Sequence, residues 1–239
     1  MVNEIVPRAE LRRLGTAATP VAVIDEFTGE VAAGIELAAA LRPFPLARGS
    51  LYPGLRRVIT GADCEADAFV ASCMGRAAPF VAGAFEVDRF DLIEASFSVV
   101  TTSPSSLAPP QRAPHFDSTD PDYIALLLYL GVPQPTGTAF FRHRATAIER
   151  VNNDNVDHFV TVARNEAVQI DAASGYIVGG NRWFDEIAAI DAVPDRMLIY
   201  PGCLLHSGII RRDAKLDPDP RRGRLTLNFF IRLDRRPAS

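Results

Sequence analysis

The sequence has few of the residues that anchor common catalytic and binding sites. Lysine occurs once, at Lys215, and all other basic residues are arginines. Schiff-base chemistry is therefore largely excluded, and any clamp for an anion is expected to use arginine. The three cysteines, Cys64, Cys73 and Cys203, show no CxxC spacing. Their odd number and their spacing argue against a disulfide framework and against a cysteine zinc site.

The sequence also has no long run of basic residues. The chain has 29 acidic and 25 basic residues, a net charge of −4, and no run of Lys or Arg that could follow a phosphate backbone. We expect neither a signal peptide nor a membrane span, because the opening and the later segments do not show an apolar stretch of that kind. We therefore expect a cytoplasmic protein that binds neither nucleic acid nor membranes.

Enough apolar material is present for one sizeable core, since 48% of the 239 residues are hydrophobic. We expect one domain over residues 1–239, with helical support over 1–84 and a β core over 85–234. The polar opening is compatible with a helix. VAVIDEF predicts a short strand, and apolar residues then recur at helical spacing as far as Pro43. Residues 62–75 again predict a helix, and LYPGLRR before them predicts a turn.

Short β-branched or aromatic runs alternate with turn residues after Phe85. This pattern predicts an antiparallel sheet protein, and at least six strands need a sandwich or a closed barrel to cover their edges. A helix is expected to interrupt them near DNVDHFVTVARNE. The predicted strands are FDLIEASFSVVT, DYIALLLYLG, GTAFFRHR, residues 186–191, RMLIYPG and RLTLNFFIRL.

One motif carries most of the chemical information, the HFD segment over residues 115–117. In an extended segment residues i and i+2 point to the same face, so the side chains of His115 and Asp117 can bind one ion. His206, in YPGCLLHSG, would complete a facial triad if a neighbouring strand presents it. The alternatives are a hydrogen-bonded pair in a loop for the tripeptide and a satisfied core histidine for His206.

The segment RLTLNFF alternates polar and apolar residues. Strand periodicity places Arg224, Thr226 and Asn228 on one face and the leucines and a phenylalanine on the other. A packed sandwich needs an apolar residue at each core-facing position, whereas a barrel with a polar interior pocket accounts for this alternation.

Together these residues resemble the motif of the Fe(II)- and 2-oxoglutarate-dependent oxygenases, which is HxD, a distal His and a late Arg or Lys, often as Arg-x-Ser/Thr. VAVIDEF with its following alanine-rich helix, and GTAFFRHR, resemble prolyl-hydroxylase-like and phytanoyl-hydroxylase-like members. The likeness covers roughly residues 20–232. It is nearest to an uncharacterised bacterial family that shares YPG, HFD and YPGxLLHSG segments.

The resemblance implies an α+β fold with a mainly β core, a double-stranded β-helix of the jelly-roll or cupin type with N-terminal helices packed on its major sheet. It implies Fe(II) bound by His115, Asp117 and His206, with 2-oxoglutarate as cosubstrate and O2 as oxidant. The distal carboxylate of 2-oxoglutarate would bind Arg224 and Thr226, a guanidinium with one hydroxyl.

Other residues are secondary candidates. Lys215 is the alternative anchor because it follows the distal histidine more closely, but it lies among aspartates in a charged connection. Tyr123 and Tyr129 share one face of DYIALLLYL, where either hydroxyl could meet 2-oxoglutarate or satisfy a backbone group. For His143 and His158 we expect solvated or capping roles.

Three functional classes are open on these residues. The leading one is an oxygenase, most simply a hydroxylase, that acts on a small molecule or a peptide and releases succinate and CO2. The second is a cupin-like isomerase or hydrolase with Zn(II) or Mn(II) on the same ligands. The third is an inactive jelly-roll binding module. The pair Arg224 and Thr226 favours the first, because a simple hydrolase needs no seat for a dicarboxylate. A homodimer is compatible with the sequence.

Overall fold

Ten β-strands and three α-helices make up the part of the chain that the structure, a computed structural model, describes: residues 6–47 and 52–235, without the side chain of Ala172. The helices are α1 (Val31–Ala40), α2 (Cys64–Phe85) and α3 (Val156–Ala167). The strands are β1 (Arg8–Leu14), β2 (Thr19–Asp25), β3 (Gly54–Val58), β4 (Arg89–Val100), β5 (Tyr123–Tyr129), β6 (Gly137–His143), β7 (Phe184–Asp191), β8 (Met197–Pro201), β9 (His206–Ile209) and β10 (Leu225–Asp234).

The strands pair antiparallel and form two sheets. The larger sheet has the order β1-β2-β8-β5-β10-β4-β3, and the smaller has the order β7-β6-β9. The sheets face each other, because Phe140 and Ile190 of the smaller sheet pack in one cluster with Tyr129 and Leu198 of the larger. This arrangement confirms the predicted double-stranded β-helix.

The larger sheet separates two environments. Along β10, Leu225, Leu227 and Phe229 are fully buried on one face, in a cluster that also contains Phe69 and Val81 of α2. Because side chains alternate along a strand, the polar residues of β10 lie on the other face, toward the smaller sheet. Helices α1 and α2 therefore cover the outer face of the larger sheet, as predicted for the N-terminal helices, and leave its inner face for the site.

Helix α2 has the length and composition of a membrane span, which the sequence interpretation overlooked. It continues past the predicted end at residue 75 to Phe85, with Pro79 inside it. One of its faces lies in the main core, where Val70, Cys73 and Ala77 are buried. A helix that packs on a sheet needs such an apolar face, so the core accounts for much of its apolar character.

The first third of the chain is not mainly helical, and that prediction was wrong. The opening segment forms β1, which pairs with β2 from Arg8 opposite Asp25 to Leu14 opposite Thr19. LYPGLRR contributes β3, which pairs with β4 at the other edge of the larger sheet. The Ala, Glu, Leu and Arg residues of β1 favour a helix locally, and Pro53 with Gly54 favours a turn at β3. Pairing to the sheet outweighs both preferences. Residues 1–5 and 51 of these two predictions lie outside the described residues.

A buried carboxylate joins the N-terminal layer to the β core. Asp195, in the turn between β7 and β8, accepts hydrogen bonds from the Thr28 amide (2.9 Å), the Thr28 hydroxyl (2.6 Å) and the Gly29 amide (2.7 Å). The Phe27 amide donates to the backbone carbonyl of Asp195 at 3.0 Å. The entry to α1 is thereby fixed to the turn that precedes β8.

We expect Asp195→Asn to lower the free energy of unfolding by about 1–3 kcal/mol, because the amide that replaces one oxygen faces N–H donors. Asparagine tolerates the positive φ of 65° at this position, so the loss reports the hydrogen bonds. Urea denaturation measures the change. The exposed Asp88→Asn is the matched control, expected within about 0.5 kcal/mol of wild type. Equal stability of the two variants would contradict this role of Asp195.

Candidate metal centre and its surroundings

The two halves of the predicted triad are joined by backbone pairing. The His115 amide donates to the His206 carbonyl at 2.9 Å, and the His206 amide donates to the His115 carbonyl at 2.8 Å. The Asp117 amide donates to the carbonyl of Gly202 at 2.7 Å. The HFD segment is thus extended beside the first residue of β9, so His115 and Asp117 point to one side, next to His206.

The three side chains converge on one point. The distance from His115 Nε2 to Asp117 Oδ1 is 3.8 Å, and from His206 Nε2 to Asp117 Oδ2 it is 3.6 Å. One donor atom from each residue lies within 4.8 Å of the other two. Nitrogen and oxygen ligands sit about 2 Å from a transition metal, so donors around one ion lie about 3–4 Å apart. The spacing suits a single ion with only small side-chain adjustments.

The orientation of His206 is set by a neighbouring carbonyl. His206 is 5% exposed, and its Nδ1 lies 2.8 Å from the backbone oxygen of Leu204. A carbonyl oxygen can only accept, so Nδ1 carries the proton and Nε2 keeps its lone pair. Nε2 is the atom that approaches Asp117. This arrangement is typical of metal-binding histidines, whose other nitrogen donates to a fixed acceptor.

Burial keeps both imidazoles in their neutral form. It lowers the pKa of His115 to about 4, with a further lowering from His206, and it lowers the pKa of His206 to about 4. Burial raises the pKa of Asp117, while the neighbouring His115 and Arg56 side chains lower it. Neutral imidazole is the form that binds a metal, and a bound cation would favour the ionised carboxylate.

A buried arginine lies deeper in the same interior. Arg224 is 6% exposed; its Nε donates to the Thr136 hydroxyl at 2.9 Å and its Nη2 to the Gly137 carbonyl at 3.3 Å. The guanidinium lies 5.5 Å from the ring centroid of Tyr129. Tyr129 is fully buried, and its hydroxyl shares a 2.6 Å hydrogen bond with the Thr138 hydroxyl. The partners of Arg224 are neutral, so its charge is not compensated by them.

Burial distinguishes the two other residues considered for binding the distal carboxylate of 2-oxoglutarate. Thr226 is 1% exposed and has the same strand parity as Arg224, opposite to the core-facing Leu225. Lys215 is exposed on the connection between β9 and β10, where its amide donates to the side chain of Gln134. The structure therefore brings Arg224, Thr226 and Tyr129 together and leaves Lys215 outside.

Comparison with known proteins gives the family. A family model described as a family of unknown function, DUF6445, matches residues 6–231. The chain belongs to the DUF6445 family. No curated protein matches it.

Solved structures of three other proteins share the fold. The non-heme α-ketoglutarate-dependent carbocyclase SnoK from nogalamycin biosynthesis has a TM-score of 0.52 and 11% identity, over 90% of this chain and 79% of SnoK. The non-heme α-ketoglutarate-dependent epimerase SnoN from the same biosynthesis has a TM-score of 0.50 and 12% identity, over 92% of this chain and 78% of SnoN. HygX from Streptomyces hygroscopicus, solved with iron bound, has a TM-score of 0.50 and 14% identity, over 90% of this chain and 83% of HygX. These likenesses confirm that the DUF6445 chain has the fold of the 2-oxoglutarate oxygenases.

Two more tyrosines line the interior of the DUF6445 chain, near the triad. Tyr123 is half-buried and stacks on Phe230 at 5.2 Å between centroids; burial and then the charge of Asp117 raise its pKa. Tyr200, which the sequence interpretation missed, is 3% exposed with its ring 4.9 Å from that of His206. Burial raises the pKa of Tyr200 well above its usual value. The sequence could have revealed Tyr200, because side chains alternate between the two faces of the strand RMLIYPG. Tyr200 therefore points to the same face as Leu198, which lies in the interior.

An arginine on β3 was also missed. Arg56 lies in the segment predicted as a turn, with its Nε donating to the Ser96 hydroxyl at 3.0 Å and its Nη2 to the Glu94 carboxylate. Its guanidinium lies 5.7 Å from the ring of Phe230, which also stacks on Tyr123. A salt-bridged arginine therefore forms part of the interior wall at the β3–β4 side. Only the pairing of β3 with β4 places it there.

His143 is fully buried, and the prediction of a solvated or capping role for it was wrong. Its Nδ1 lies 2.8 Å from the Thr146 hydroxyl and its Nε2 lies 2.6 Å from Glu166 of α3. The parity of β6 places this histidine on the outer face of the smaller sheet, under α3 and away from the triad. His158, on the same helix, is exposed as predicted.

We expect Glu166→Ala to lower the free energy of unfolding by about 1–3 kcal/mol, because it leaves a buried imidazole nitrogen without its partner. Metal affinity should stay within about twofold of wild type if His143 serves only the fold. Thermal unfolding and metal titration of the purified variant measure the two effects. Asn165→Ala, an exposed change on the same helix, is the control. A large loss of metal affinity in a folded variant would place His143 at the metal centre instead.

Proposed function

We propose that this DUF6445 chain is an Fe(II)- and 2-oxoglutarate-dependent oxygenase that hydroxylates a small molecule or a peptide in the cytoplasm, with release of succinate and CO2. The observation that carries the proposal is a three-ligand centre and a buried, uncompensated arginine within one barrel interior. SnoK and SnoN, which share this fold, are α-ketoglutarate-dependent enzymes, and this likeness supports the proposal.

The donor set suits Fe(II). Two neutral imidazoles and one carboxylate, from His115, His206 and Asp117, form the facial triad of non-heme iron oxygenases and leave other coordination positions free. The Leu204 carbonyl holds His206 in the tautomer that can bind the ion. Bound together, iron and 2-oxoglutarate supply the activation of O2 and the oxidation of the substrate.

Arg224 is the proposed seat of the distal carboxylate of 2-oxoglutarate. A buried charge is costly unless it is paired, and no described residue forms an ion pair with this guanidinium. Thr136 and the Gly137 carbonyl orient it, and Tyr129 lies beside it. An anionic ligand that pairs with Arg224 and accepts a hydrogen bond from the Thr226 hydroxyl would compensate this buried positive charge. A metal-dependent isomerase or hydrolase on the same triad has no need of this cation.

We expect Fe(II) followed by 2-oxoglutarate, added without oxygen, to give the weak visible charge-transfer absorption of an iron-bound keto acid. His206→Ala should bind Fe(II) at least about tenfold more weakly and lose the absorption, because one of three protein ligands is gone. His158→Ala, an exposed histidine on α3, should behave as wild type. Wild-type protein that binds metal without this absorption would contradict the proposal and favour the cupin-like isomerase or hydrolase.

We expect Arg224→Leu to raise the 2-oxoglutarate concentration for half-maximal absorption at least about tenfold, because a charge-assisted hydrogen bond to the carboxylate is lost. Fe(II) affinity should be unchanged, which separates this effect from misfolding. Lys215→Leu removes the other candidate cation and should leave the concentration unchanged. A shift in Lys215→Leu alone would move the anchor to that residue, and no shift in either variant would end the cosubstrate assignment.

A further inference from the structure

One cavity lined by described residues lies outside the interior between the two sheets. It is an open groove of about 710 Å³ between the segment that precedes β7 and the start of the β9–β10 connection. Its floor is apolar and includes Ile170, Tyr176, Ile177 and Trp183. Ile177 and Trp183 pack in the same cluster as Phe116. Phe116 points away from its neighbours His115 and Asp117, so the groove lies behind the metal segment.

Four arginines line this groove: Arg112, Arg182, Arg211 and Arg212. None of them forms an ion pair with a described residue. Elsewhere in the fold arginines commonly do so, as where Arg142 and Arg144 share Asp185 at 3.0 Å and 2.6 Å. The one acidic residue in the lining is Asp171, whose carboxylate accepts from the amide of Ala173. The groove therefore carries a net positive charge.

Backbone carbonyls hold three of these guanidinium groups without neutralising them. Arg112 donates to the carbonyls of Leu107 (2.7 Å) and Ile170 (3.3 Å), and its buried Nε has no partner. Arg212 donates to the Ser174 carbonyl at 3.4 Å. Arg182 donates to the Gln169 carbonyl at 3.5 Å, and its guanidinium lies 4.2 Å from the ring centroid of Trp183, in cation–π geometry. The arginines are thus placed around the apolar floor with their charge still available.

We propose that this groove is a second ligand site, for a small organic anion with a flat apolar body and a phosphate, sulfate or carboxylate group. The anionic group pairs with Arg211 and Arg212 at the rim, and the apolar body lies on Trp183 and Ile177. The volume falls within the range of clefts that hold small molecules. Guanidinium forks bind such oxyanions in bidentate fashion. Neither the three candidate metal ligands nor Arg224 line this groove.

The test uses phenyl phosphate as the probe and Trp183 as the reporter. Trp183 is the single tryptophan of the chain, so its emission reports on the groove in the full-length protein. Phenyl phosphate should change this emission with a saturable curve that weakens as salt is raised. Inorganic phosphate and benzyl alcohol, each with half of the ligand chemistry, should bind more weakly. Saturating 2-oxoglutarate should leave the affinity for phenyl phosphate unchanged.

The double variant Arg211→Gln/Arg212→Gln should weaken the binding of phenyl phosphate by roughly tenfold, because two charge-assisted contacts become neutral. Arg13→Gln/Arg76→Gln removes the same charge at two exposed arginines outside the groove and should bind as wild type. Circular dichroism and the unfolding temperature show that both variants are folded.

Three kinds of result would overturn the proposal. The first concerns phenyl phosphate itself: it gives no saturable change in Trp183 emission, or it does but both double variants lose affinity equally. An equal loss would indicate general charge attraction. The second is inorganic phosphate binding as tightly as phenyl phosphate, which would remove the apolar body from the ligand class. The third is a Glu- and Leu-containing peptide binding more tightly than phenyl phosphate, which would make the groove a docking site for a protein segment.

Discussion

The reciprocal backbone pairing of His115 with His206 is the interaction on which the candidate metal centre depends. Two hydrogen bonds of 2.9 Å and 2.8 Å join an isolated extended segment to the first residue of β9. The three candidate ligands come from segments that are far apart in the sequence, and no local structure could bring them together. The Asp117 amide and the carbonyl of Gly202 extend the same junction. The centre is therefore built by the edge of the smaller sheet.

The inner face of the larger sheet imposes a second constraint. Strand alternation gives one face of β10 to the helices and the other to the barrel interior, so polar residues can be buried without breaking the main core. Arg224, Thr226 and Tyr129 occupy that interior, and Ser98 binds Asn228 on the neighbouring strand. Burying these groups costs stability unless partners satisfy them. The neutral partners of Arg224 leave one charge to be balanced by a ligand, which links the fold to its proposed cosubstrate.

Sequence reasoning succeeded where one local pattern points to one structure. The apolar run of β5, the alternation in β10 and the helical spacing of α1 and α3 each agree with the final packing. It failed at β1, whose residues favour a helix, and at β3, where Pro53 and Gly54 indicated a turn. Both segments are strands only because a sheet edge accepts their backbone hydrogen bonds. It also failed at His143, since flanking arginines in the sequence do not reveal that a helix covers the side chain.

The sequence by itself determined the chemical types of the site: two histidines and an aspartate with strand spacing, and an arginine that opens a strongly apolar strand. These follow from strand periodicity, which acts over a few residues. The tertiary structure decided that the three ligands lie within 4.8 Å of one another and that Arg224, not Lys215, is buried. It also decided that four arginines, none of which forms an ion pair with a described residue, line one groove. The physical reason is that convergence and desolvation are set by chain segments that meet only in the folded protein.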